Sequence, residues 1–450
     1  MIEVDSKISS TGLTIDILGK RYTNIFPNGA WEKLPIKFKK IFCDNYAFLS
    51  CSHIPIIKND NYMKYSGARP LFEPEFFKMQ AKGIPTMADL DNVSPAEYLK
   101  RLNNIENKYS NDEPLIEQLD YSPNEKSVIN FTFGKDSLIT LGLSGELGIK
   151  PELLFNLEPD GPIEIDYKTK LAKEFSKKYN LPFSYVNNEA ALLRNYKHIG
   201  INKKNFWYPN ISADYLFNAI PSAFASKSKY IFFGNEQSCN DYYITEQGGF
   251  KANPVYFQSA DWMIAMDSMT RIMTNESLRA SSIIEPLHDL AITKILHTRY
   301  KEYGKYQLSC FPDENDSPGK IYCEKCSKCA RVNIFLKAFG VDTKPLGYTK
   351  SLLEKDDANL YTIFGSHDQS QPFDKQGVGR DEQLYAFYLA YKNGVRGYLM
   401  DKFKEKYLDE IKAKEDELHK RFFSINSMKS IPNELKGKLT SIFKEELNLP

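Results

Sequence analysis

A chain of 450 residues with 59 basic and 58 acidic side chains has a formal charge of +1, and 42% of its residues are hydrophobic. That length buries a sizeable core and leaves room for two or three domains, while the balanced charge removes the simplest argument for a dedicated nucleic-acid binder. The start, MIEVDSKISSTG, has no basic stretch leading into an apolar one, and no apolar run approaches spanning length, so a cytoplasmic location and no membrane partner are expected.

In chain order, residues 1–105 are rich in aromatics and proline, with strand-like pieces such as LTIDILGKRY, and read as an N-terminal domain that shapes substrate choice. Residues 106–126 are polar and read as a linker. From 127 to 305, apolar runs alternate with helical patterns at the spacing of βα units: SVINFTF, PELLFNLEP, FSYVNN, KYIFFGNE and SSIIEPL. Five such runs predict an α/β fold with a doubly wound parallel sheet, which carries helices on both faces and takes ligands beyond the carboxyl ends of its strands. Chemistry is therefore expected at Gly134, Asn156, Gly234 and Pro286. Residues 306–340 hold a cysteine knuckle and a helix. Residues 341–450 form a mixed, then helical, extension whose charged end, MDKFKEKYLDEIKAKEDELHKRFF, reads as a solvated or packing helix.

The first run leads into Thr132, Phe133, Gly134, Lys135, Asp136 and Ser137. A buried strand, a tight polar turn and a helix start together make an anion site, because free backbone N–H groups and the positive end of the helix dipole converge there. Gly134 is expected to take the positive φ of the turn and Lys135 to supply a compact charge. Asp136 is suited to magnesium, and the hydroxyls of Thr132 and Ser137 to phosphate oxygens. The competing reading has Asp136 and Ser137 simply capping the helix, which leaves the lysine unexplained. The stretch is neither a Walker A loop, since Ile129 and Asp136 stand at two defining positions, nor a G-x-G-x-x-G fingerprint.

Seven cysteines fall unevenly, with Cys310, Cys323, Cys326 and Cys329 crowding one segment. The C-x-x-C-x-x-C spacing plus a distant fourth thiol suits a closed tetrahedral zinc site of structural type, and an iron–sulfur cluster is the competing metal group.

The loop at 132–137 resembles the PP-loop, S-G-G-x-D-S, of the ATP pyrophosphatases, with Thr132 in place of the first serine and Phe133 in place of the first glycine. In that superfamily the loop grips the pyrophosphate of ATP while a substrate oxygen attacks the α-phosphorus. The resemblance implies ATP with Mg2+ as cofactor and a Rossmann-like PP-loop domain. It also implies Lys135, Asp136, Ser137 and Glu236 as catalytic residues, and Thr132, Phe133, Gly134, Lys135, Asp136, Ser137, Asn156, Gly234 and Asn235 as nucleotide-binding residues. The order of loop, GNE, EPLHDLAITKIL and cysteine knuckle resembles 7-cyano-7-deazaguanine synthases, which are shorter. The long N-terminal region and SQPFDKQGVGRDEQLYAF look more like the ATP-dependent epimerases that invert the terminal glutamate of UDP-N-acetylmuramoyl-L-alanyl-L-glutamate. Asp374, Lys375 and Gln376 depart from the Pro-Phe-Glu-Cys-Val-Gly type of sequence expected there. What these families share is activation of a small-molecule carboxylate as an acyl-adenylate.

Other residues have two readings each. Glu236 and Glu285 stand at strand ends and suit magnesium, proton transfer or helix capping. Asp241 ranks below them. His288 is a base or an interfacial histidine; Lys294, Arg271 and Arg331 meet anions or solvent. Trp262, Met266, Met269 and Met273 recur at helical spacing, which reads as core or a dimer contact. A tRNA sulfur-transfer enzyme and a non-catalytic nucleotide sensor are the readings from other classes, and a homo-oligomer stays open.

Overall fold

Four of the five βα runs become neighbours in one sheet. The computed structural model describes residues 1–203, 205–309, 322–365 and 378–449. In chain order the strands are β1 (Ile2–Ile8), β2 (Gly12–Ile17), β3 (Lys20–Ile25), β4 (Tyr62–Tyr65), β5 (Glu106–Lys108), β6 (Asn124–Asn130), β7 (Lys150–Leu157), β8 (Phe183–Asn188), β9 (Ser228–Phe232), β10 (Tyr243–Ile244), β11 (Lys251–Ala252) and β12 (Arg279–Ser281). Ten of them form a single sheet in the order β12-β9-β6-β7-β8-β3-β2-β1-β4-β5, and β10 pairs with β11 alone. From β12 to β8 every pairing is parallel. Four of these strands, β6 to β9, fall on runs expected from the sequence, and the fifth does not coincide with the expected one. Read from β8 to β12, their chain order runs third, second, first, fourth, fifth, so it reverses between β6 and β9, the point where doubly wound sheets take their ligands.

The N-terminal strands continue the same sheet. β3 pairs antiparallel with β8, β2 with β3 and β1 with β2, and β4 and β5 add in parallel beyond β1. The close pass of β2 against β3 requires Gly12, where a Cβ would stand 1.9 Å from the Asn24 carbonyl oxygen. The stretch read as a linker contains β5 and the start of β6, with no helix or strand from 109 to 123. The SSIIEPL run is corrected: β12 stops at Ser281, and Ile283, Ile284 and Leu287, all fully buried, lie beyond it in turns closed by Glu285 N–H to the Ser282 carbonyl and Leu287 N–H to the Ile284 carbonyl.

The chain divides into two compact units, each assembled from separate stretches. The first comprises Met1–Asn130, Gly148–Phe233 and Tyr242–Ser281 and holds the whole sheet. Its helix Ala260–Met273 begins at Ser259, whose hydroxyl accepts from Trp262 N–H at 3.2 Å, and Trp262, Met266, Met269 and Met273 are all core residues at 1% exposure or less. Within this unit the buried Arg194 guanidinium bridges Glu158 and Asp214, each at 2.7 Å, and Asp214 also accepts from Asn188 and from the Tyr46 hydroxyl. Each charge there has an opposite partner, which is the condition for burying it.

The second unit comprises Phe131–Leu147, Gly234–Asp241 and Ser282–Pro450. Its described elements are helices, including Lys135–Glu146, Asp289–Thr298, Ser327–Ala338, Val378–Lys392, Tyr398–Ala413, Glu415–Phe422 and Asn433–Leu447. Arg299 ties three of its segments together, reaching Glu146 at 2.5 Å, Glu446 at 2.9 Å and Glu445 at 3.0 Å. The charged C-terminal stretch breaks at Lys414 and buries Leu399, Met400, Phe403, Leu408, Ile411, Leu418 and Phe422, which makes it packing helix. No described helix is long and apolar enough to cross a membrane.

Candidate functional site

The chain leaves β6 at Asn130 and turns into the helix Lys135–Glu146 within four residues. The positive φ of this turn falls on Phe133 (+60°), while Gly134 is extended at φ −66° and ψ 155°. The expectation for Gly134 is thus corrected by one residue. A non-glycine residue in the left-handed region costs roughly 1–2 kcal/mol, and burying a phenylalanine returns about 1.5–3 kcal/mol. Phe133 is 2% exposed and meets Phe131 edge-on at 4.7 Å, and its carbonyl accepts from Leu308 N–H at 2.7 Å, so packing wins. Phe133→Gly is therefore expected to relieve strain and still destabilise the fold by about 2 kcal/mol, because removal of a core phenylalanine costs about 3–5 kcal/mol. A urea melt that instead shows stabilisation contradicts this balance.

No side chain caps the helix start at Gly134. Ser137 closes the loop instead, its hydroxyl donating to the Gly134 carbonyl at 3.0 Å and accepting from Thr132 N–H at 3.3 Å. The Thr132 hydroxyl accepts from Gly134 N–H at 3.4 Å. Neither Asp136 nor Ser137 takes the capping role, so the positive helix end is left to other acceptors.

Lys135 folds back into an ion cluster, with its Nζ 2.5 Å from Asp136 Oδ1 and 2.7 Å from Asp289 Oδ1. The lysine and Asp289 side chains are 13% and 8% exposed. Burial alone would lower the lysine pKa, but the charges of Asp136, Asp289 and Glu236 outweigh it and hold the ammonium above its usual range. Burial likewise works against an ionised Asp289, yet Lys135 and Arg331 keep it below the normal carboxylate value. Burial, with Lys135 opposing it, raises Asp136. Glu236 is pushed up to about 8 by burial and by the like charge of Asp289. Burial, then Asp289 and Glu236, raise Glu382 well above its ordinary value. The cluster therefore pairs Asp289 with Lys135, while burial works against ionisation of Glu236 and Glu382.

Backbone geometry assembles these groups. A Cβ on Gly234 would lie 2.6 Å from the Asp136 Cβ, so glycine is what lets this segment pass the loop. The Asn235 carbonyl accepts from the Ser282 hydroxyl at 2.6 Å. Glu236 does cap a short turn, with Oε2 accepting from Ser238 N–H at 2.7 Å and from its hydroxyl at 2.5 Å. Glu382 accepts from Leu290 N–H at 2.9 Å and so holds the start of Asp289–Thr298 from a distant helix.

Asp289 and Glu382 carry no sequence signal of this role: Asp289 is an ordinary acid in a first helical turn and Glu382 an ordinary acid within a helix. Of the other residues read from sequence, Glu285 does not join the cluster: it accepts from the amides of Lys429 at 2.9 Å and Ser430 at 2.8 Å and anchors that turn. His288 is 7% exposed and edge-on to Phe422 at 5.3 Å, and burial lowers its pKa to about 4, so it stays neutral. Lys294 lies over the Phe423 ring at 5.8 Å, and Arg271 pairs with Glu276. Asn156, on β7 in the first unit, donates to Asn130 Oδ1 at 3.4 Å, while Asn156 Oδ1 and Asn130 Nδ2 are buried without partners.

The second feature of this unit is a sulfur cluster. The Sγ atoms of Cys323 and Cys326 are 3.3 Å apart and those of Cys323 and Cys329 3.6 Å, and all three lie within 4.8 Å of one another. A tetrahedral ion with sulfur at about 2.3 Å sets its ligands about 3.8 Å apart, so the three are placed to hold one metal ion such as zinc. An iron–sulfur cluster gives each iron its own thiolate and spreads the sulfurs further. Cys310 lies outside the described residues, as do Asp374, Lys375 and Gln376. The knuckle is fixed from behind: Glu324 accepts from Thr349 N–H at 2.5 Å and Lys350 N–H at 2.8 Å, and the Tyr348 hydroxyl donates to the Cys329 carbonyl at 3.1 Å.

No family model matches the chain, and no curated protein matches it.

Proposed function

We propose that this protein is an adenylate-forming enzyme of the PP-loop ATP pyrophosphatase type, activating a carboxylate of a small-molecule or nucleotide-linked substrate. The observation that carries the reading is the uncapped helix start at Gly134 with the Lys135 ammonium buried beside it. Such an arrangement suits a polyanion, since amide dipoles and a desolvated cation act together. The raised proton affinities of Glu236 and Glu382 support it, because burial works against two of the negative charges around Lys135.

In this reading the Gly134 backbone, Lys135 and the Thr132 hydroxyl hold the triphosphate, Ser137 keeps the loop in shape, and Asp136 is the magnesium ligand. Magnesium, when bound, neutralises phosphate charge. A substrate carboxylate oxygen attacks the α-phosphorus, the bond to the β-phosphate oxygen breaks, and pyrophosphate leaves. The acyl-adenylate is open to attack at carbon and more acidic at the α-position, and AMP departs later. In this reading Glu236, whose ionisation burial opposes, gives a hydrogen bond to a developing negative charge. The motifs put inversion of a glutamyl residue in a cell-wall precursor first and amide or nitrile formation second. Zinc on the cysteines is structural.

Incubation with ATP and either muramoyl peptides or 7-carboxy-7-deazaguanine is expected to yield AMP with one of them. Asp136→Ala is expected to lower substrate-dependent pyrophosphate release by at least about 100-fold with the fold intact. Undiminished release from a folded variant, or no ATP binding by the parent protein, would overturn the assignment.

A further inference from the structure

Residues 285–290 lead into the helix Asp289–Thr298 and bring Asp289 to Lys135, and all of them are buried. A buried backbone needs partners for its N–H and C=O groups. Several come from far along the chain. The Pro286 carbonyl accepts from the N–H and from the side-chain amide of Asn426, each at 3.0 Å, and the Glu285 carboxylate accepts from the Lys429 and Ser430 amides. The Leu287 carbonyl accepts from Gln237 N–H at 2.9 Å. The helix itself starts at His288 without a side-chain cap from that residue, and its first N–H groups have no intrahelical acceptor. Glu382, on the helix Val378–Lys392 and 3% exposed, supplies one for Leu290 N–H at 2.9 Å. That amide follows Asp289 directly, and Asp289 Oδ1 is 2.7 Å from Lys135 Nζ.

We propose that the C-terminal extension belongs to the working site through Glu382, a positioning residue that fixes the first turn of Asp289–Thr298 and so holds Asp289, and with it the Lys135 ammonium, in place for the triphosphate. This rests on the adenylating function proposed above. A lysine side chain is a point charge on a flexible four-carbon stem, so its partners decide where the ammonium stands. Of the two carboxylates on Lys135, Asp289 is the firmer anchor, with its side chain 8% exposed against 33% for Asp136. Asp289 is only as fixed as the turn it starts, and the acceptor for that turn comes from a helix beyond the cysteine knuckle. Asn426, Lys429 and Ser430 hold the approach to the same turn, so the extension fastens it from both ends.

The test reads the KM for ATP and the kcat of pyrophosphate release in full-length variants, with urea melts as a second measurement. Glu382→Leu is expected to raise the KM for ATP at least about tenfold, since misplacing a binding group by about 1 Å costs on the order of 100-fold. Glu382→Gln keeps an acceptor oxygen at the same reach and is expected to recover most of that loss. Asn426→Ala, at a half-buried position, removes one of the two bonds to Pro286 and is expected to raise KM in the same direction with the fold intact. A parental KM in folded Glu382→Leu, or in Asn426→Ala should the first variant not fold, would overturn the positioning role. So would a glutamine variant as impaired as the leucine one, because the effect would then belong to the charge or proton of Glu382. A parent protein that releases no pyrophosphate with any substrate would overturn the adenylating function, and the urea melts then decide the clamp on their own. Lys135→Met is expected to shift the midpoint less in a Glu382→Leu background than in the parent, and equal shifts would show that Glu382 does not hold the pair.

Discussion

Replacing Lys135 by methionine is expected to destabilise the fold by about 3 kcal/mol and to abolish pyrophosphate release, since removing one partner of a buried ion pair costs roughly 3–5 kcal/mol. The larger share comes from Asp289, whose side chain is 8% exposed, and not from Asp136, which at 33% exposure is better solvated. Without the ammonium, Asp289 loses the cation 2.7 Å away and keeps the charge of Arg331 beside the carboxyls of Glu236 and Glu382. A second change tests this account. Adding Asp289→Asn removes the stranded charge, so Lys135→Met with Asp289→Asn is expected to regain about 1–2 kcal/mol over Lys135→Met alone, within the range of coupling for contacting residues. Pyrophosphate release should stay absent in both variants. Urea melts read the first effect and a coupled phosphate assay the second. A double variant whose destabilisation is the plain sum of the two singles would show that the pair does not interact.

Metal removal is expected to have the other large effect. Purified protein should carry about one zinc per chain, and Cys329→Ser should lose it and about 4 kcal/mol of stability, because structural zinc sites bind with roughly 10–16 kcal/mol and the remaining ligands retain part of that. Cys329 is the informative position: it is fully buried, and its backbone is held by Cys326 through its amide and by Tyr348 through its carbonyl. Cys51→Ser is the control, an equally buried cysteine outside the cluster, whose thiol burial pushes far above its usual range. Elemental analysis with thermal melts decides the matter. Folded protein that contains neither zinc nor iron, with Cys329→Ser no worse than Cys51→Ser, would remove the metal site.

The position of the loop was legible because its signals are local. A buried run followed by a glycine, a lysine and an amphipathic segment specifies strand, turn and helix within a dozen residues, and the triple cysteine spacing specifies a knuckle within seven. Phe133 was legible as a departure but not as the residue that would take the left-handed turn, because that depends on Phe131 packing against its ring. The run at 281–287 was misread as strand for a related reason, since buried turns and buried strands are equally apolar.

Sequence by itself thus determined four of the five parallel strands, the place of the polar turn after the first of them and the grouping of the cysteines, all of which follow from short-range patterns. Tertiary structure alone decided that β1 to β5 extend the same sheet through the pairing of β3 with β8, and that Asp289 and Glu382 join a lysine far from them in the chain. It also decided in which direction each carboxyl's proton affinity is shifted. Strand partners and proton affinities depend on what lies across space and how much water is excluded there, and neither quantity is written in the order of neighbouring residues.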